Sequence, residues 1–136
     1  DAALRAEGFA PYETASPFVN FLGGCWVRTG ADGAEVALRV LPELCNTHGT
    51  LHGGMLLVLA DQVLAMTSRL LTGRSGMTMH VDADLLAGAP REALVRGRAR
   101  ILRRTRSTAF LEGHLRHDEE MILRASALVR LLGEAP

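Results

Sequence analysis

Asn46-Thr47-His48-Gly49-Thr50-Leu51-His52-Gly53-Gly54 runs straight into Met55-Leu56-Leu57-Val58-Leu59-Ala60-Asp61-Gln62-Val63-Leu64-Ala65-Met66, and the fold turns on this junction. A polar, glycine-rich turn hands over to an apolar run. Apolar side chains occupy every face of a helix drawn over Met55–Met66, and a helix that is hydrophobic all round is normally buried. One long central helix is therefore expected, covered on all sides. Asp61 is its anomaly: three and four residues away stand Leu57, Val58, Leu64 and Ala65, so the acid lies on an apolar stripe. A carboxylate in that place must be paired, protonated or functional, because burying an unpaired charge costs several kcal/mol or shifts its pKa.

The flanks supply strands. Cys25–Leu41 alternates apolar and polar residues around Asp32-Gly33, the pattern of a hairpin. After the loop Gly73-Arg74-Ser75-Gly76, residues Met77, Met79, Val81, Ala83 and Leu85 alternate with Thr78, His80, Asp82 and Asp84, which places Thr78 on the polar face of a strand. Three further strands fit Ala93–Arg104, Ser107–His117 and Met121–Leu132. Ser16-Pro17 reads as the start of a short packing helix with Phe18, Phe21 and Leu22 on one face. Residues 1–14 read as a loosely attached lead-in. The whole is an α+β fold: an antiparallel sheet of five to six strands wrapped around one helix, in a single domain spanning residues 1–136.

Composition narrows the function. The 136 residues carry zero formal net charge, which does not suggest a general nucleic-acid-binding surface. Cys25 and Cys45 lack metal or redox spacing, so a reducing, cytoplasmic setting is the default. The unbroken apolar run Met55–Ala60 is far short of the roughly 20 residues of a membrane span, and no signal segment is expected at the start. His48 and His52 stand four apart, but the glycine between them spoils the helix that a shared metal would need, so no metal is expected.

Asn46, then His52-Gly53-Gly54 six residues on, then Asp61 within the helix, form a pattern that resembles the hotdog-fold acyl-CoA thioesterases of the phenylacetate-degradation type. The likeness continues through Gly88-Ala89-Pro90 and Arg106-Ser107-Thr108-Ala109-Phe110, covering most of Ser16–Leu132. It implies hydrolysis of an acyl-CoA to a free acid and CoA, with no separate cofactor, in a homodimer or a dimer of dimers.

The residues can be matched to that chemistry. Gly53 and Gly54 start the helix, where unsatisfied N–H groups can meet an acyl oxygen; the resemblance makes the Gly53 N–H the carbonyl polariser. Asp61 follows eight residues later, about 12 Å along the axis at 1.5 Å per residue. One substrate carbon cannot touch both; if both act on one thioester, the acid must come from a second chain and the site must lie at a dimer interface. Asp61 is then general base or nucleophile, and the sequence leaves both open. Asn46 either binds thioester or water or caps its loop. His52 either assists the leaving thiolate or holds the turn. Thr78 stands where the resemblance places a water-orienting hydroxyl. Arg103, Arg104, Arg106 and Ser107 are candidates for the CoA phosphates. Leu57, Leu64, Met79 and residues of the partner chain are expected to shape the acyl pocket, and His80 is an unexpected residue that could alter its polarity. Two rivals share the fold: a hydratase or dehydratase of acyl thioesters, and an acyl-CoA-binding module without turnover.

Overall fold

A computed structural model describes residues 1–133; residues 134–136, the end of the expected domain, lie outside the described residues. The elements in order are α1 (Ala2–Ala6), β1 (Ala10–Pro11), α2 (Pro17–Leu22), β2 (Cys25–Gly30), β3 (Gly33–Arg39), a 3-10 turn at Pro42–Leu44, α3 (Gly53–Thr72), β4 (Gly76–Leu85), β5 (Leu94–Arg104), β6 (Thr108–His117) and β7 (Glu120–Leu131). All strand pairs are antiparallel, in the order β1-β2-β3-β5-β6-β7-β4. The sheet curls around α3, which is the hotdog arrangement. It has seven strands where five to six were expected, the additional one being the two-residue β1.

The helix is as long as its pattern allows. His52 caps its start, and Gly73 ends it in the left-handed conformation (φ 70°) that glycine adopts without strain. Met55, Leu56, Leu59, Ala60, Val63 and Leu64 pack into the core against Val36, Leu38, Leu111, Leu115 and Val129. Burial is not all-round, however. Leu57, Leu70 and Leu71 are exposed, and Val58, Asp61, Gln62 and Ala65 only half-buried, because the sheet covers one side of α3 while the described residues leave the other side largely open, with a groove between it and the lead-in. At twenty residues α3 is long and apolar enough to cross a membrane by length and composition, but its apolar stripe is the core of the domain.

The lead-in is docked rather than loose. Leu4 and Phe9 are buried on the outer face of the sheet against Ala37, beside Trp26 and Leu94. Charge fastens them there. Glu35 receives Arg28 at 2.6 Å and Arg98 at 2.7 Å, Glu7 receives Arg96 at 2.8 Å, and the Arg28 and Arg96 guanidinium groups lie 4.6 and 5.4 Å from the centre of the Phe9 ring. Helix α2 forms with the expected Ser16 cap, yet it is Val19 that turns inward; Phe18 and Phe21 are 56% and 86% exposed. The alternation of that six-residue helix identified a shared face but not the direction in which it points.

Candidate functional site

The turn before α3 is braced from three sides. The Leu51 N–H donates to Ala89 O at 2.8 Å, the His52 N–H to Leu44 O at 2.9 Å, and Thr50 bridges to Pro90. A Cβ at Gly88 would stand 3.2 Å from Thr50 Cγ2, so the Gly88-Ala89-Pro90 segment fits tightly against the turn. Within the turn Asn46 is fully engaged as a cap. Its Oδ1 accepts from the His48 N–H at 2.9 Å and the Thr50 N–H at 3.2 Å, and its Nδ2 donates to Thr50 Oγ1 at 3.0 Å. One Nδ2 hydrogen is left over for a ligand.

Two orphan amides start the helix, and they are treated differently. The Gly54 N–H donates to His52 Nδ1 at 2.9 Å. That bond makes Nδ1 an acceptor and leaves the proton of the neutral imidazole on Nε2. The Gly53 N–H has no acceptor among the described residues. Half-buried at the positive end of a twenty-residue helix, it is a free donor held in place. A Cβ at Gly53 would come within 3.2 Å of Leu85 Cδ2, the tip of a half-exposed side chain that can give by a few tenths of an ångström.

The acid half lies two turns further along the same unbroken helix. Asp61 is half-buried and has no guanidinium partner among the described residues; instead Thr78 Oγ1 donates to its Oδ1 at 2.7 Å. This contact lies beside a bulge. Thr78 pairs with Val129 and His80 with Leu128, so Met79 is an extra residue in β4. Directly opposed residues share a face, and Val129 is buried under α3; Thr78 therefore faces the helix together with Val81, Ala83 and Leu85, not the polar side that strict alternation assigns it. His80 goes to the outer face opposite Leu128, away from Asp61.

The arginines separate into two groups. Arg103 and Arg104 are exposed at the end of β5. Arg106 and Ser107 line a cavity of ≈ 610 Å³ together with Arg74 and Arg130. Arg74 is buried, its guanidinium donating to Arg106 O at 2.6 Å and Leu132 O at 3.3 Å, with no carboxylate partner among the described residues. Neither Arg74, in a loop segment, nor Arg130, in a strand, carries a local motif, so only the fold reveals that they join Arg106. Leu64 is fully in the core and Leu57 exposed, so Leu64 shapes no pocket within the chain.

Comparison with known proteins gives the family. The profile of the thioesterase superfamily matches residues 48–123, which contain the start of α3, Asp61 and Thr78. A Pseudomonas aeruginosa protein named only as a candidate esterase is 30% identical over 128 residues, covering 92% of this chain and 96% of its own. Among solved structures, the TT0310 protein of Thermus thermophilus superposes with a TM-score of 0.79 at 28% identity, over 88% of this chain and all of that one. A mutant of the phenylacetic acid degradation protein PaaI from the same organism gives 0.78 at 27%, over 86% and 100%.

Proposed function

Because this chain belongs to the thioesterase superfamily and is a thioester hydrolase, we propose that it splits an acyl-CoA into a free acid and CoA at a site shared by two copies of the chain. The observation that carries the reading is the free Gly53 amide and the Asp61–Thr78 pair on one unbroken helix, eight residues apart. About 12 Å of helix separates them, so each acts on a thioester whose other half-site belongs to the partner.

In such a site the Gly53 N–H donates to the thioester carbonyl oxygen and stabilises the charge that develops there. Thr78 holds one oxygen of Asp61, leaving the other to take a proton from water as that water attacks the carbonyl carbon. The tetrahedral intermediate then collapses with loss of the CoA thiolate. Asn46 orients the thioester with its remaining N–H. Arg106, with Arg130, faces the CoA phosphates, while the buried Arg74 braces the cavity wall through backbone carbonyls. Assembly as a homodimer, or a dimer of dimers, is supported by β4, an edge strand carrying Met77, Met79, Val81 and Leu85 exposed. The two free cysteines suit a cytoplasmic setting.

The test uses two variants. Asp61→Asn is expected to lower thiol release by about 10²–10⁴-fold with the fold intact. Gly53→Pro removes the donor alone: proline is favoured at the first helical position, and His52 (φ −57°, ψ 136°) already has the conformation that precedes proline. Each variant alone should be nearly inactive, while co-expression should restore activity through mixed dimers that keep one intact site. Undiminished hydrolysis by a folded Asp61→Asn variant would overturn the reading, and a changed double bond in place of free thiol would make the enzyme a hydratase. Binding of acyl-CoA without thiol release by the native chain would make it a binding module.

A further inference from the structure

Beside the acid half lies a groove that the scheme above leaves unused. One wall is the α3 stripe of Gln62, Ala65, Met66 and Leu70; the facing wall is the lead-in, with Tyr12 at its centre, and Val27 of β2 forms part of the floor. At ≈ 750 Å³ it falls within the range of about 300–1,000 Å³ typical of ligand pockets. Its near end adjoins the reacting pair. Gln62 and Ala65 lie one residue and one turn beyond Asp61, and Gly76, also on the lining, shares the helix-facing side of β4 with Thr78.

Shape and lining decide what fits. Gln62 to Leu70 spans about 12 Å of helix, so the groove is elongated. Glu13 and Arg69 and several hydroxyl groups also line it, but most of its surface is apolar, aliphatic or thioether apart from Tyr12, and methionine adapts to flexible chains. The lead-in wall is fixed: Leu4 and Phe9 anchor it, β1 pairs with β2, and the Tyr12 N–H donates to Cys25 O at 2.9 Å.

We propose, resting on the hydrolase reading, that this groove receives the acyl group, that the preferred substrate carries an extended aliphatic chain rather than a compact ring, and that Met66 and Leu70 set its length. Burying successive methylenes along the stripe raises kcat/KM with chain length until Leu70 is passed.

The experiment measures kcat/KM for acetyl-, butyryl-, octanoyl- and phenylacetyl-CoA with the native enzyme, Leu70→Trp and Met66→Trp. Leu70 is 46% exposed, so its replacement does not disturb the core. The native enzyme should favour octanoyl-CoA, and the octanoyl-to-acetyl ratio should fall about tenfold in Leu70→Trp and further in Met66→Trp, which blocks nearer the acid. A native enzyme that releases thiol but prefers phenylacetyl-CoA, or ratios unmoved in both variants, overturns this proposal and leaves the hydrolase standing. No release from any substrate overturns the hydrolase reading and this proposal with it.

Discussion

Strands β3 and β4 have alternating patterns, lie in one sheet and send side chains toward the same helix, yet they end in opposite environments. From Gly33 to Leu38 every residue of β3 is buried, because α3 covers one face and the lead-in the other. Along β4 every residue but Ala83 is exposed, including Met77 at 57% and Met79 at 58%. The difference is one of cover rather than of pattern. The cover of β3 is encoded in the first ten residues, while among the described residues nothing covers the edge of β4, which suits the second copy that the proposed site requires.

The sharpest way to break that contrast is to place the same charge in both strands. Val36→Asp puts an unpaired carboxylate where exposure is 2%, and the cost of several kcal/mol is comparable with the stability of a whole domain, so thermal melting should find it unfolded. Val81→Asp should keep its helical circular dichroism but sediment as a monomer with little thiol release. An active oligomer carrying Val81→Asp would mean that β4 is not the shared edge.

A smaller effect is expected from the bulge. Deleting Met79 straightens β4 with Thr78 still opposite Val129 and facing the helix, so most activity should survive, whereas Thr78→Ala should lower it about ten- to a hundredfold for a hydrogen bond to a carboxylate worth about 1.5–3 kcal/mol. Thr78→Ala should cost about as much in the deletion variant as in the native chain; no further loss there would mean that Thr78 does not reach Asp61 from the straightened strand.

The smallest lies on the outer face between the two strands. There His114 of β6 is held below its ordinary value near 6.5 by partial burial, then by Arg116 and Arg98, with Glu112 opposing. The unfolded chain therefore takes up this proton first as pH falls. Stability contributed by the neutral imidazole is complete above about 6.5 and declines as pH drops from there toward the lowered folded value. His114→Gln should flatten that part of a melting-temperature-against-pH curve, and an unchanged slope would assign the acid sensitivity to other groups.

Much of this was legible from local pattern. Alternation located the strands, and Ser16-Pro17, His52 and Gly73 are caps whose chemistry is written in a few residues. Gly53 and Asp61 stood out for the same reason, one as the start of a helix and the other as an acid on its apolar stripe. What escaped was set by distant partners. Met77-Thr78-Met79-His80 alternates perfectly as a straight strand, and only the pairing of Thr78 with Val129 and His80 with Leu128 imposes the bulge. The lead-in reads as weak helix because its burial comes from Trp26, Arg28, Arg96 and Ala37, far along the chain. Phe18 and Phe21 look like core residues, and their exposure follows from the direction of a short helix that its own sequence does not specify.

The cap formed by His52 also limits the part that residue can play in turnover. While Nδ1 accepts from the Gly54 amide, the ring carries one proton, on Nε2. Surrendering it to a departing sulfur would leave an imidazolate, which is not accessible in water near neutral pH. Becoming a true acid would require protonating Nδ1 as well, and that would set two donors against each other at the first turn of the helix. So long as the cap stands, His52 can steady the thiolate with a hydrogen bond, and the proton that balances the CoA thiolate is the one Asp61 took from the attacking water, passed on directly or through solvent.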